Sequence, residues 1–308
     1  MSDTFDAIIL TVPNDLMRTQ KLYYKIAQNL PVQKIHIIGS SEVGKLLPSL
    51  GLDEKFDFIE EESLIPFHDV KRIIESRFPG KTISRGMVGW YYQQFLKLKY
   101  ADICPDAYYL SWDGDTIPIR PIQMFCDGTP YIDWKREYFP SYFRTISSLF
   151  PGFHKVIEQS FIAEHMLFSK EYVQKMREEI MHASHLSGIT FYERILRAIS
   201  LSDLNDIGFS EFETYGTYIA YRNPGLYRMR RWTSFRNCGQ YFSPDTISEQ
   251  EIEWLANDFH AISFEKGHTP ATENNVFANP LFQEKLTARY ILELIQEEMT
   301  EGYRETWD

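Results

Sequence analysis

Across the first 121 residues, short β-branched runs alternate with stretches of helical periodicity. This alternation commits the chain to a parallel sheet covered by helices. "FDAIILTVP" is a strand, and "NDLMRTQKLYYKIAQNLP" is a helix with Leu16, Tyr23, Ile26, Ala27 and Leu30 on one face. Asn14 or Asp15 is placed to cap that helix and Pro31 to stop it. "KIHIIGS" and "FDFIEEESLI" are the second and third strands, the latter running into an acidic loop. "FHDVKRIIESRF" is a helix closed by Pro79-Gly80, and the loop "GKTISRGMVG" leads into the helix "WYYQQFLKLKYADI". A fourth strand, "YYLSWD", then ends on Asp113, with Asp115 one residue beyond. An open α/β sheet keeps its chemistry at the carboxyl ends of such strands.

Two carboxylates that close repel unless a cation or a cluster of donors lies between them. Three readings are open for the pair. A solvated turn is the plainest, since Asp and Gly favour turns. A haloacid-dehalogenase-type phosphatase uses two aspartates two positions apart, one as nucleophile and one for the proton, but on its first strand. Here at least three strands precede the pair, and no downstream lysine and acidic pair complete that set. The third reading is a divalent ion, Mn²⁺ or Mg²⁺, gripping a nucleotide diphosphate; hard carboxylate oxygens suit both ions.

Downstream, "TPYIDW" and "SFIAEHMLFS" are strands, while "KEYVQKMREEIMHAS", "ITFYERILRAISL" and the stretch opened by "FSEFETYG" are helical. "YRMRRWTSFRNCG" is a strand, and "EIEWLANDFHAISFEKGH" is a helix running into a strand. "PLFQEKLTARYILELIQEEM" is an amphipathic helix whose acidic face favours docking on its own domain over an anionic membrane. With no repeat or linker to divide them, residues 1–308 are expected to form one domain.

A formal charge of −11 excludes a broad nucleic-acid footprint, which needs clustered Lys and Arg. Cys104, Cys126 and Cys238 are odd in number and lack CxxC spacing, so they are expected to be reduced thiols. No stretch approaches the roughly 20 apolar residues that cross a bilayer, and the N-terminal run lacks a basic flank. The expectation is a cytoplasmic protein, with peripheral contact at the inner face of the membrane left open.

The ordered set "TVPNDL", "GWYYQQFLKL", "SWDGDT", "EHMLF" and "FSEFETYG" resembles the GT-A nucleotide-sugar glycosyltransferases over roughly residues 5 to 270. More narrowly it resembles a bacterial GT-A-like family, DUF6492-like. The resemblance implies an α/β GT-A (Rossmann-like) mixed sheet flanked by helices, with C-terminal helical additions. Residues 1–125 would form the nucleotide-binding half with its D-x-D motif, 126–275 the acceptor half, and 276–308 a C-terminal helix. It further implies that Thr11, Val12, Pro13 and Asp15 border the nucleotide and that Arg85 reaches the diphosphate. Gln94 would face the donor sugar with Lys97 nearby, and Trp112 would form a flat wall. Asp113 and Asp115 would hold the metal, joined by His268 unless that histidine is a surface turn residue. The expected substrates are a nucleotide diphosphate sugar donor and a glycan or lipid-linked glycan acceptor of the bacterial surface. A non-catalytic glycan-binding protein of the same fold stays open.

On the acceptor side, His165 in "FIAEHMLFS" is expected either to bond a sugar hydroxyl or to be satisfied by backbone. In "FSEFETYG", Ser210 and Glu213 have capping-box spacing, which ties Glu213 to the helix start. Glu211 is then preferred over Glu213 as the base of an inverting transfer; in a retaining enzyme both would position hydroxyls. Arg228 and Arg230 with Trp232 suit a diphosphate or a phosphorylated acceptor, or else form a solvated basic face.

Overall fold

The computed structural model describes residues 4–271 and 275–295. The strands are β1 (Asp6–Leu10), β2 (Ile35–Gly39), β3 (Phe56–Glu60), β4 (Tyr108–Asp113), β5 (Thr116–Pro118), β6 (Phe125–Cys126), β7 (Thr129–Trp134), β8 (His165–Ser169), β9 (Arg228–Arg231), β10 (Ser234–Phe235) and β11 (Ala261–Ser263). The helices up to the fourth long strand are α1 (Pro13–Thr19), α2 (Tyr23–Asn29), α3 (Ser41–Leu46), α4 (Glu61–Leu64), α5 (Phe67–Arg77) and α6 (Arg85–Lys99). Then come α7 (Pro140–Leu149), α8 (Lys170–His182), α9 (Phe191–Ala198), α10 (Leu201–Leu204), α11 (Glu211–Arg222), α12 (Glu249–Ala256), α13 (Pro280–Lys285) and α14 (Ala288–Leu294).

The main sheet runs β3-β2-β1-β4-β8. Its first four strands are parallel, and β8 pairs antiparallel with β4. This is a mixed α/β sheet flanked by helices on both faces. Both faces are covered, so β1 and β8 are buried along their length without alternation. One face, with Ile8, Tyr109, Met166 and Phe168, packs against helices that include α5, α6, α8, α9 and α11. The other, with Ala7, Ile9, Leu110, Trp112 and Leu167, packs on α1, α2, α12, α14 and the small sheet β10-β11-β5. A third sheet, β6-β7-β9, turns at Asp127-Gly128, where both residues have positive φ, as a two-residue hairpin of the Asp-Gly kind demands.

Several boundaries differ from expectation. Val12, not Asn14 or Asp15, precedes the first helix, because Pro13 takes its first position, where a missing N–H costs nothing. That helix is also split by a 3₁₀ turn over Gln20–Leu22. The acidic loop after β3 is the short helix α4. Ser84 accepts from the Met87 N–H and starts α6 at Arg85, within the expected loop. The single strand expected over "YRMRRWTSFR" is two strands in different sheets, β9 and β10. The C-terminal helix breaks at Leu286, with Thr287 capping α14 through the Tyr290 N–H; the part expected over 296–308 lies outside the described residues. Among the described residues no helix is long and apolar enough to cross a membrane.

Candidate active site

Leu10 of β1 stands opposite Asp113 of β4 in the sheet register. Beyond these two carboxyl ends opens a cleft of about 400 Å³, at the place where parallel α/β sheets present ligand sites. The Asp113-Gly114-Asp115 turn forms its floor as the chain passes from the main sheet to β5. Thr19 Oγ1 and Tyr23 Oη donate to the Gly114 carbonyl at 3.1 and 3.2 Å, and the Phe264 N–H donates to the Asp115 carbonyl at 2.9 Å. Glycine is needed at 114 for space: a Cβ there would lie 2.9 Å from Ile9 Cγ2 and 3.1 Å from Tyr23 Oη.

Lys97, near the end of α6, reaches up between two carboxylates. Its Nζ lies 3.0 Å from Asp113 Oδ1 and 2.7 Å from Glu211 Oε1, and 4.2 Å from the Phe212 ring centroid. Burial disfavours the ammonium, but the two carboxylates outweigh it and hold Lys97 above its ordinary range. Glu211 opens α11, and its own N–H is accepted by Gln94 Oε1 at 3.1 Å. Gln94 Nε2 donates to the Trp90 carbonyl. Gln94 therefore lines the cleft while fastening α6 to the start of α11.

Asp115 is different. Burial first, then Asp113 and Glu265, push its carboxyl up to about 7, against the pull of Arg18 and Arg236. Arg18 is engaged with Asp15 and the Phe264 carbonyl, and Arg236 with Glu265. The cleft wall carries Asp15, Asp113, Asp115, Glu137 and Glu211 against Lys97 and Arg236, an excess of negative charge that would repel a diphosphate unless a cation enters with it.

The structure thus brings Thr11, Asp15, Gln94, Lys97, Asp113, Asp115 and Glu211 to one cavity. Val12 and Pro13 lie beside it at the start of α1, with Val12 exposed. Arg85 begins α6, exposed over the Phe67 ring. It stands roughly 18 Å along the helix axis from Lys97, at 1.5 Å per residue. Trp112 is no cleft wall: it is fully buried, donates to the Thr116 carbonyl and stacks on His165. His165 is itself buried and bonded to Asp133 Oδ2 at 2.8 Å, and Arg230 grips the same carboxylate through Nε and Nη2 at 2.6 and 2.7 Å. Both are committed to a structural triad beneath the sheet, not to the cleft. Arg228 donates to Cys126 Sγ.

The expected capping box is half made. Ser210 accepts from the Glu213 N–H, but the Glu213 carboxylate turns away to accept from Ser160 Oγ at 2.5 Å. His268 packs its Cβ against Gly239, with Nδ1 buried and lacking a hydrogen-bond partner. Among the described residues no group of three or more His, Cys, Asp or Glu is placed to hold a metal ion, so His268 does not join the aspartates here.

Glu137, Arg236, Trp90, Gln93, Phe139 and Tyr142 also line the cleft, and sequence reasoning passed over them. Trp90 and Gln93 lie inside the "GWYYQQ" stretch. Arg236 follows the arginines of β9 on the next strand's exit, and Glu137 sits in an ordinary charged run, "WKREYF". Neither pattern signals a cavity, because the loops that bring them together close over long sequence distances.

A family model described as "Family of unknown function (DUF6492)" matches residues 7–283. No curated protein matches the chain. Among solved structures, the apo form of mouse xyloside xylosyltransferase 1 is similar at 13% identity over 87% of this chain and 99% of that one, with a TM-score of 0.49. Galactosyltransferase LgtC in complex with donor and acceptor sugar analogs is similar at 13% identity over 92% and 95%, with a TM-score of 0.41. At these values the likeness carries neither activity nor substrate over to this chain.

Proposed function

Since the chain belongs to the DUF6492 family, a family of unknown function, we propose its activity from the cleft itself. It transfers a sugar from a nucleotide diphosphate sugar to a hydroxyl of a bacterial surface glycan or lipid-linked glycan. Asp113 and Asp115 would hold Mn²⁺ or Mg²⁺. Two protein carboxylates suit an ion whose remaining positions go to water and substrate phosphate oxygens. A bound divalent cation supplies charge neutralisation for the departing diphosphate. His268 stays outside this set, because among the described residues no three such groups are placed around one ion.

The observation that carries this reading is Asp115, a carboxyl that burial pushes up to about 7 in a cleft with excess negative charge and, among the described residues, no close ion pair. Such a group needs either a proton or a cation, and a cation also makes room for a diphosphate. Thr11 and Asp15 border the nucleotide side, and Arg236 adds a second positive charge for the phosphates. Trp90, Phe139 and Tyr142 offer faces for a sugar ring. Glu211, anchored by Lys97, orients a sugar hydroxyl as acceptor of its hydrogen bond. The phosphatase alternative wants its aspartate pair on the first strand, whereas this pair ends β4. A lipid-linked acceptor would be met from the cytoplasm at the inner face of the membrane.

The test is thermal stabilisation by UDP or GDP with and without Mn²⁺, in the wild type and in Asp115→Asn. A shift that requires both nucleotide and Mn²⁺ and disappears in the variant supports the proposal. An equal shift in the variant sinks it. Mass-spectrometric screening of nucleotide sugars then separates turnover from mere glycan binding.

A further inference from the structure

We infer that Glu137 is the catalytic base of this cleft, taking the proton from the attacking acceptor hydroxyl. The inference rests on the glycosyl-transfer reading above and names a residue that reading does not use.

The geometry separates the carboxylates of the cleft by their commitments. Glu211 Oε1 already holds Lys97 at 2.7 Å, and Asp113 shares the same ammonium. Asp15 pairs with Arg18 at 2.9 Å, and Asp115 lies in the turn assigned to the metal. Glu213 is buried behind the helix start on Ser160. Glu137 remains. It leaves the end of β7, lines the cavity beside Phe139, Tyr142 and Arg236, and its side chain is 11% exposed. Its ion-pair contact is the Arg236 guanidinium at 4.0 Å, the outer limit of such a contact, and that guanidinium is turned to Glu265.

Its surroundings are those of a proton acceptor. Burial pushes the Glu137 carboxyl up to about 7; Arg236 and Lys135 pull it down, and Glu164 and Glu213 push it further up. The Tyr142 hydroxyl of α7 also feels its charge. A base poised near the working pH combines a usable ionised fraction with useful proton affinity. In the step, the acceptor O–H bond breaks and its proton passes to Glu137. The acceptor oxygen bonds the anomeric carbon, and the bond from that carbon to the β-phosphate oxygen breaks, its electron pair leaving with the nucleoside diphosphate. This displacement inverts configuration.

The experiment follows nucleoside diphosphate release from a panel of UDP- and GDP-sugars with Mn²⁺, water serving as acceptor, for wild type, Glu137→Gln and Glu137→Ala. The expected loss of kcat in Glu137→Gln is about 10²–10⁴-fold, with the acid limb near pH 7 abolished. Nucleotide-Mn²⁺ thermal shifts should match wild type. Azide, an anionic nucleophile with no proton to lose, should restore donor turnover in Glu137→Ala and give an inverted glycosyl azide. A Glu137→Gln enzyme with wild-type kcat and an intact acid limb overturns the inference while leaving glycosyl transfer standing. Loss of nucleotide binding in both variants, or no rescue by azide, overturns it in favour of a structural role. A wild type that releases nothing from any donor removes the underlying reading together with it.

Discussion

Glu211 Oε1 lies 2.7 Å from Lys97 Nζ, so a buried ion pair joins the start of α11 to the last turn of α6. The same ammonium holds Asp113 at 3.0 Å. One lysine thereby sets the spacing between the sheet end that carries the aspartate pair and the helix end that carries the glutamate. Both lysine and glutamate side chains are almost wholly buried, at 6% and 5% exposure.

Replacing Lys97 by Met therefore strands a buried carboxylate. Removing one partner of a buried pair costs about 3–5 kcal/mol, and urea unfolding should show a lowered midpoint at unchanged slope. Lys97→Met/Glu211→Gln removes both charges and should recover part of the loss. A single variant within about 1 kcal/mol of wild type, the typical scale of an exposed pair, would show that the bridge carries little.

Glu213 gives a pH prediction. Burial raises its carboxyl above the ordinary value, opposed by Lys155, Ser160 and the Phe161 backbone. The folded state then binds this proton more tightly than the unfolded chain, so stability falls as pH rises above about 4.3, the unfolded value. The fall ends once pH passes the folded pKa. Glu213→Gln cannot ionise and still accepts from Ser160. Its stability relative to wild type should grow with pH through this window, read by urea unfolding at successive pH values. Donor turnover should stay near wild type, because the side chain faces Ser160. A strong loss of turnover at preserved stability would restore Glu213 as a catalytic candidate.

Arg230 should prove structural. Asp133 is buried and held below its ordinary value; burial alone would raise it, and Arg230 and His165 outweigh that. Arg230→Met removes two short hydrogen bonds to Asp133 and one to the Gln123 carbonyl, and should cost about 3 kcal/mol, as breaking a buried pair does. Nucleotide affinity, measured calorimetrically with Mn²⁺, should not move. A drop in affinity without a drop in stability would return Arg230 to the binding site.

Gly114→Ala tests the turn. The added methyl would press on Ile9 and Tyr23, an overpacking cost of about 1–3 kcal/mol. Because both aspartates flank it, Mn²⁺-dependent nucleotide stabilisation should weaken by more than the stability loss alone explains. A variant that binds nucleotide and Mn²⁺ like wild type would mean the turn does not set the carboxylate geometry.

What the sequence determined by itself was local or periodic. β-Branched runs separated by amphipathic stretches specify parallel strands and covering helices, and a D-x-D after "YYLSW" falls at a strand end whatever the loops do. Even Ser210 as a cap was legible, since one side chain and one N–H three residues on decide it. The tertiary structure alone decided which charged side chains share a space. The linear pattern offered His165 a sugar hydroxyl or backbone and Arg230 a phosphate or solvent, yet both close on Asp133, which no spacing links to either. Lys97 meets Glu211 across 114 residues, and Glu137 and Arg236 reach the cleft from separate loops. Periodicity encodes which face of an element is buried. Coulomb partners and cavity walls depend on how the faces of distant elements finally meet, and that information exists only once the chain has folded.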